Sequence, residues 1–206
     1  MNEQKSEEWF QDRLGKVTAS RVADVMARTK SGYGAARKSY MSQLLCERLT
    51  GNREDSFQNA AMQRGTDLEP IARSAYEMDK GVMVSEVGFV DHPEIPNCGA
   101  SPDGMVNEDG LVEIKCPNTA THIDFLKTGR IERKYQLQMM LQLACTGRSY
   151  CDFVSFDDRL PEELSYKCVR FEPHPDEMDD MLKEIKKFLA ELNVMVSDLK
   201  EMMVAA

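Results

Sequence analysis

The chain has 206 residues and a mass of 23.4 kDa, enough for one domain with a sizeable core and too little for two full-sized ones. Apolar residues at 42% and charged residues at 30% exclude a fibrous or wholly disordered protein. A net charge of -9, taken alone, argues against a nucleic-acid partner. In chain order, Ser6 is placed to cap a short helix near Ser6–Asp12, and a second helix is expected from about Ser20 to Arg28. A Gly-containing segment expected to be flexible, Thr29–Ala36, leads into a helix from about Arg37 to Leu49 that stops at Gly51. The next helix covers roughly Ala60 to Met78 and ends at Gly81.

The period then changes. Val82–Val90 alternates as a strand, and Leu111–Lys115 is a short β-branched run after the turn Asn107–Gly110. Thr119–Lys127 and Arg133–Cys145 read as helices, Tyr150–Phe156 and Leu164–Phe171 as strands around the turn Asp157–Pro161. Pro175 to about Met203 is a long helix whose Met178, Leu182, Ile185, Leu189, Leu192, Val196, Leu199 and Met203 form one apolar stripe. That stripe is expected to pack on the domain's own sheet, with subunit contact as the alternative. With no repeat or linker visible, residues 1–206 read as a single α/β domain. Its helical part spans about 1–80, its sheet core about 82–171 and its C-terminal helix about 175–203.

No apolar leader precedes Trp9, and the uncharged run Tyr135–Gly147 is too short and too rich in Gln to span a bilayer, so a cytosolic protein is expected. The six Cys contain no C-x-x-C pair and the three His lie far apart, which leaves a zinc or iron–sulfur centre without support. Charge is unevenly spread. Residues 1–54 hold ten Lys/Arg against seven Asp/Glu, residues 55–151 nine against fourteen, and residues 152–206 seven against fourteen. A basic N-terminal quarter permits phosphate binding while the remaining surface stays acidic.

The chemistry-bearing stretch is Ser101-Pro-Asp103-Gly followed by Glu113-Ile-Lys115-Cys-Pro117. Residues two apart on a strand share a face, so Glu113 and Lys115 project together, and Asp103 at the preceding turn can close on the same point. Two carboxylates and the Ile114 carbonyl are hard oxygen donors suited to Mg²⁺ or Mn²⁺. A lysine beside them can orient or deprotonate a water and offset charge on a phosphoryl group. The loose pattern also occurs at Asp124/Glu132/Lys134 and Asp176/Glu184/Lys186, but in helical segments, where residues two apart diverge. Spacing alone does not separate a nuclease site from a solvated ion pair on a half-buried strand.

Five ordered motifs add to it: Trp9-x-x-x-Arg13-Leu-Gly-x-x-Thr18-Ala-Ser20, Gly65-x-x-x-Glu69, Ser101-Pro-Asp103-Gly, Glu113-x-Lys115-Cys-Pro and Tyr135-x-x-Gln138. From Trp9 to Phe171 the chain resembles the phage lambda exonuclease family, YqaJ-type viral recombinases built on the PD-(D/E)XK nuclease core. The resemblance implies a central mixed sheet flanked by helices. It implies metal binding by Asp103, Glu113 and the Ile114 carbonyl, with Glu69 as a further acidic ligand. Lys115 would activate the nucleophile, and Gln138 would position the water or the lysine. Arg13, Ser20 and Ser101 match residues that grip the 5′-phosphate of a DNA end. The family also places an arginine shortly after Lys-Cys-Pro; here Thr121 and His122 stand in that region and are its expected substitutes.

The implied activity is Mg²⁺-dependent 5′-to-3′ digestion of linear double-stranded DNA, leaving a 3′ single strand for recombination. A homotrimeric ring and a single-strand annealing protein are the implied partners. A ring wall of Arg13, Lys16, Arg28, Lys30 and Lys38 would reconcile the net charge with a polyanion. Metal-activated water predicts a rate that rises toward alkaline pH. Bland alternatives stand beside these roles: an i,i+4 pair of Glu69 with Arg73, a solvated face for Gln138 and Gln142, and an ordinary surface His122.

Overall fold

A computed structural model describes residues 4–53 and 59–205; residues 1–3, 54–58 and 206 of the expected single domain lie outside the described residues. Helix α1 (Glu7–Arg13) starts on the expected cap, with Ser6 Oγ accepting the Trp9 N–H at 3.2 Å. After β1 (Val17–Thr18), the helix expected over Ser20–Arg28 is cut short. It consists of a 3-10 turn (Ala19–Arg21) and α2 (Val22–Val25). The chain then doubles back as a hairpin of β2 (Arg28–Thr29) and β3 (Gly32–Tyr33), so the segment read as flexible is an ordered element. Helices α3 (Ala35–Thr50) and α4 (Ala60–Lys80) end on Gly51 and Gly81, at φ 71° and 64°, where glycine carries no Cβ penalty.

The expected strand Val82–Val90 divides into β4 (Val84–Ser85) and β5 (Val90–Asp91), which belong to different sheets. Strands β6 (Cys98–Ala100) and β7 (Gly104–Val106) flank the Asp103 turn, and β8 (Gly110–Lys115) follows. Then come α5 (Thr119–Thr128), α6 (Arg133–Thr146), β9 (Tyr150–Phe156), one turn α7 (Glu162–Ser165), β10 (Tyr166–Phe171) and α8 (Pro175–Ala205). The main sheet has the order β10-β9-β8-β7-β4. β8 and β9 are parallel and its other neighbours antiparallel, so the sheet is mixed, as expected. A second sheet, β1-β6-β5, carries the start of the Asp103 loop.

Strand alternation sorts the core. Val112 and Ile114 pack with Leu68, Ala72 and Tyr76 of α4, while Leu111 packs with Met139 and Leu143 of α6 and Phe125 of α5. The sheet therefore lies between α4 and the α5–α6 pair. Leu137, Met140, Leu141 and Cys145 of α6 face a further core built with α2, α3 and α8. Helix α6 is thus enclosed on nearly every side, and no face of it is the solvated stripe considered for Gln138 and Gln142. The α8 stripe is centred on Met181, Ile185, Phe188 and Leu192, and it packs on helices α3, α6 and α2 rather than on the sheet. Its far end, including Met202 and Met203, is exposed.

Candidate active site

The turn and the strand that carry the site's acids follow local rules. Gly104 is needed where β7 runs between β4 and β8, because a Cβ there would collide with Val84 Cγ1. That close approach fixes the turn carrying Asp103, whose Oδ2 accepts the Ile114 N–H at 2.7 Å. On β8, Glu113 and Lys115 share a face as alternation requires, and their side chains form an ion pair. Glu113 is fully buried and Lys115 is 28% exposed, so the pair leads from the core into solvent. A cleft of about 540 Å³ opens there, lined by Glu69, Asp103, Ile114, Lys115 and Tyr135.

Helix α6 supplies the donors. Gln138 Nε2 donates to Glu113 Oε1 at 2.7 Å, and Gln142 Nε2 donates to Oε2 at 2.6 Å. In the sequence Gln142 shows only that it shares a helical face with Gln138, four residues earlier, and no role of its own. What reveals its role is β8 lying opposite that face. Its own Oε1 is buried without a hydrogen-bond partner in the described structure.

The two remaining acids differ. Burial, then the neighbouring charge of Glu113, push the Asp103 carboxyl well above the usual carboxylate range, against the pull of Lys115. Burial alone would lower the Lys115 ammonium, yet the charges of Glu113 and Asp103 raise it, so it is protonated at neutral pH. Glu69 reaches the cleft from α4 and also pairs with Arg73 at 3.3 Å, so the bland i,i+4 contact and the cleft position coexist. Among the described residues, no three His, Cys, Asp or Glu side chains converge as a ready-made metal cluster. Glu69 therefore stands near Asp103 and Glu113 without completing a triad.

Arg13, Ser20 and Ser101 are brought together in part. Ser101 Oγ accepts from Arg13 Nη1 at 3.2 Å and from Trp9 Nε1 at 2.9 Å. The Arg13 guanidinium lies 4.1 Å from the Trp9 ring centroid. Arg13 and Ser20 line a recess of about 200 Å³, also lined by Lys16, Arg21 and Arg53. Burial pulls the Arg13 pKa down to about 10, partly opposed by Tyr40 and Glu47, and no described carboxylate lies within ion-pair distance of it. Such a guanidinium gains from an incoming anion. Ser101, which accepts from Arg13, stands two residues before Asp103, which lines the cleft.

Thr121 and His122 do not join that group. Thr121 is exposed and lines a separate small recess with Lys115, Arg130 and Tyr135. His122 is fully buried, with Nδ1 2.7 Å from Ser155 Oγ and Nε2 2.9 Å from the Leu164 carbonyl. Both ring nitrogens are spent on the fold, so this histidine is neither a surface side chain nor a free phosphate ligand. The proposed basic wall is also partly neutralised: Lys16 pairs with Asp91 and Arg28 with Glu184, both at 2.7 Å. Of the two decoy patterns, Glu132 and Lys134 do meet at 2.9 Å, because Glu132 precedes the first turn of α6, but both are half exposed and neither lines the Asp103 cleft.

Residues 8–149 match the YqaJ-like viral recombinase domain. The chain belongs to that family. Among solved structures, this YqaJ-family chain is similar to an alkaline exonuclease, LHK-Exo of Laribacter hongkongensis. They share 54% identity over 97% of this chain and 99% of that one, with a TM-score of 0.91, and the same values hold for LHK-Exo in complex with dAMP. The chain is a nuclease of this family. A phage-related exonuclease of Haemophilus somnus 129PT shares the fold, with a TM-score of 0.70 at 15% identity over 91% of this chain and 96% of that one. An uncharacterized protein of Acanthamoeba polyphaga mimivirus is 27% identical over 169 residues, 74% of this chain; the chain spans only 29% of that protein's length.

Proposed function

We infer that this nuclease digests linear double-stranded DNA from a 5′-phosphorylated end, in the 5′-to-3′ direction. It would release mononucleotides and leave a 3′ single strand for annealing-type recombination. The observation that carries this reading is the meeting of Asp103 and Lys115 in one cleft, with Glu113 and Gln138 bonded in the wall behind Lys115 and with Ser101, which accepts from Arg13, two residues before Asp103.

The donor chemistry fits a divalent cation. Asp103 is forced toward its neutral form by burial and by Glu113, a conflict that a positive ion between the two would relieve. Glu113 accepts three hydrogen bonds, from Lys115, Gln138 and Gln142, against about four lone-pair sites on a carboxylate. Asp103, Glu113 and the Ile114 carbonyl would hold Mg²⁺, or Mn²⁺ in its place, with Glu69 as an outer acid; all are hard oxygen donors. When bound, such an ion supplies Lewis-acid charge neutralisation at the phosphate and makes water more acidic.

The chain's own residues account for the rest. The protonated Lys115 ammonium orients the attacking water by its lone pair and offsets charge that builds on the phosphoryl oxygens. Gln138 and Gln142 fix the Glu113 carboxylate by both oxygens, which in turn holds Lys115 in place. Arg13, steadied by Trp9 and Ser101, grips the terminal phosphate, and Ser20 lines the same recess. A homotrimeric ring around the duplex and a single-strand annealing protein complete the proposal.

Linear duplex carrying a 5′-phosphate or a 5′-hydroxyl, labelled on either strand, tests the reading in Mg²⁺ beside a closed circle. Wild type should release mononucleotides from the 5′-ended strand only. Lys115→Ala should lower that rate by about 10²–10³-fold, the scale of losing one transition-state charge contact. Arg13→Ala should spare melting temperature and reduce the preference for a 5′-phosphate by roughly tenfold, as a charged hydrogen bond of about 1.5 kcal/mol is lost. Cleavage of the circle would replace end-dependent digestion with an endonuclease.

A further inference from the structure

Gln4 and Lys5, just before α1, form part of the catalytic cleft. Gln4 Nε2 donates to two main-chain carbonyls distant in sequence, Val87 at 2.8 Å and Pro102 at 2.7 Å. Pro102 immediately precedes Asp103, so this clasp ties Gln4 to the loop that bears a catalytic acid. Both Gln4 and Lys5 line the cleft around Asp103 and Lys115 and its continuation toward Arg73 and Glu86. Lys5 sits at φ 69°, in the left-handed region that non-glycine residues seldom occupy. Its Nζ lies 3.4 Å from Glu69 Oε2.

Stability does not explain this arrangement. Left-handed backbone disfavours a lysine, whereas a half-exposed ion pair at that length returns little. Glu69 moreover already has Arg73 as a cationic partner, at 3.3 Å. Among the described cations lining the cleft, Lys115 is engaged by Glu113, Arg73 is shared between Glu69 and Glu86, and their side chains are 28% and 15% exposed. Lys5, at 50% and held only by the 3.4 Å contact to Glu69, is the most exposed of them and the best placed to turn toward an incoming anion. Strained backbone held by specific anchors is characteristic of functional positions.

We propose that Lys5, presented by the Gln4 clasp, is a substrate-binding residue that leaves Glu69 to contact a phosphodiester of the DNA strand lying in the cleft. The proposal rests on the reading of this cleft as the DNA-cleaving site. It makes Lys5 a working part of that site, with Gln4 as its positioning residue.

The test is fluorescence anisotropy of a labelled linear duplex across a salt series, in a Lys115→Ala background and in chelator, so that digestion is negligible during the measurement. Adding Lys5→Gln should weaken binding several-fold and lower the slope of log K against log salt by about 0.9, the signature of one lost phosphate contact. Lys5→Arg should restore the slope. Gln4→Ala should reproduce much of the loss with an unchanged melting temperature. An unchanged slope in Lys5→Gln would overturn the proposal, and so would faster digestion by Lys5→Gln in the otherwise wild-type chain, which would mark Lys5 as a plug. If the Lys115→Ala protein bound no duplex and wild type released no nucleotide, the reading of the cleft itself would fail. Normal binding and digestion with an indifferent Lys5 would remove only the present inference.

Discussion

Asp103→Asn should yield an inactive protein that melts at a higher temperature than wild type in the absence of divalent ions. Asn keeps an oxygen able to accept the Ile114 N–H, now made at 2.7 Å, so the turn before β7 retains its anchor. What disappears is a carboxyl group that burial and the neighbouring Glu113 push toward its neutral form, at a cost to the fold. Activity should fall by about 10³-fold or more, since a hard ligand for the ion is lost and each 1.36 kcal/mol of barrier is tenfold in rate. Stability should rise by about 1–2 kcal/mol at pH 8, the usual gain when a strained functional group is neutralised. For a domain of this length that is roughly 2–8 °C in Tm.

The pH dependence fixes the sign. The folded Asp103 pKa lies above its unfolded value, so its contribution to stability is fully present below the unfolded value and is lost as pH rises through the folded one. Asn has no such loss. The Tm difference between variant and wild type should therefore be small at pH 4 and widen toward pH 8 in chelator. Added Mg²⁺ should raise the Tm of wild type and leave that of Asp103→Asn nearly unmoved. A variant that melts lower than wild type at pH 8 would contradict the view of Asp103 as a carboxylate held ready for a cation.

The parts of this site that were legible in the sequence are those governed by short-range rules. Strand alternation is enough to put Glu113 beside Lys115, and glycines at helix ends marked Gly51 and Gly81 as stops. Elements defined only by distant partners were not legible. β1 pairs with β6, some eighty residues on, and neither strand is long enough to show a period of its own. The same limit governs side chains. His122 looks like any polar helical residue until Ser155 and Leu164 close over both of its nitrogens. The residues alone leave the Gln138–Gln142 face open to a solvated reading, which only the buried carboxylate across from it excludes.

That last contact carries the second large expectation. Gln142 is the only described donor to Glu113 Oε2, while Oε1 is shared by Gln138 and Lys115. Gln142→Leu should therefore leave half of a fully buried carboxylate unpaired, at a cost of about 2–3 kcal/mol. Gln138→Leu should cost the fold less, because Lys115 still serves Oε1 and the cleft admits water. Both should lose activity, Gln142→Leu by way of a displaced Glu113 and Gln138→Leu by way of the cleft itself.

A double-mutant cycle separates this reading from simple loss of core packing. With Glu113→Gln in the background the buried charge is gone, and Gln142→Leu should then cost at least ~1 kcal/mol less than in wild type, as expected for residues in direct contact. Denaturant melts of the four proteins supply the comparison. An equal cost in both backgrounds would mean that Gln142 fills space in α6 and does not hold Glu113. A reduced cost would explain why a helix otherwise enclosed by Leu and Met keeps a glutamine whose own carbonyl is left without a partner. That orphan acceptor is destabilising on its own account, and the carboxylate it helps to orient is the reason for its persistence.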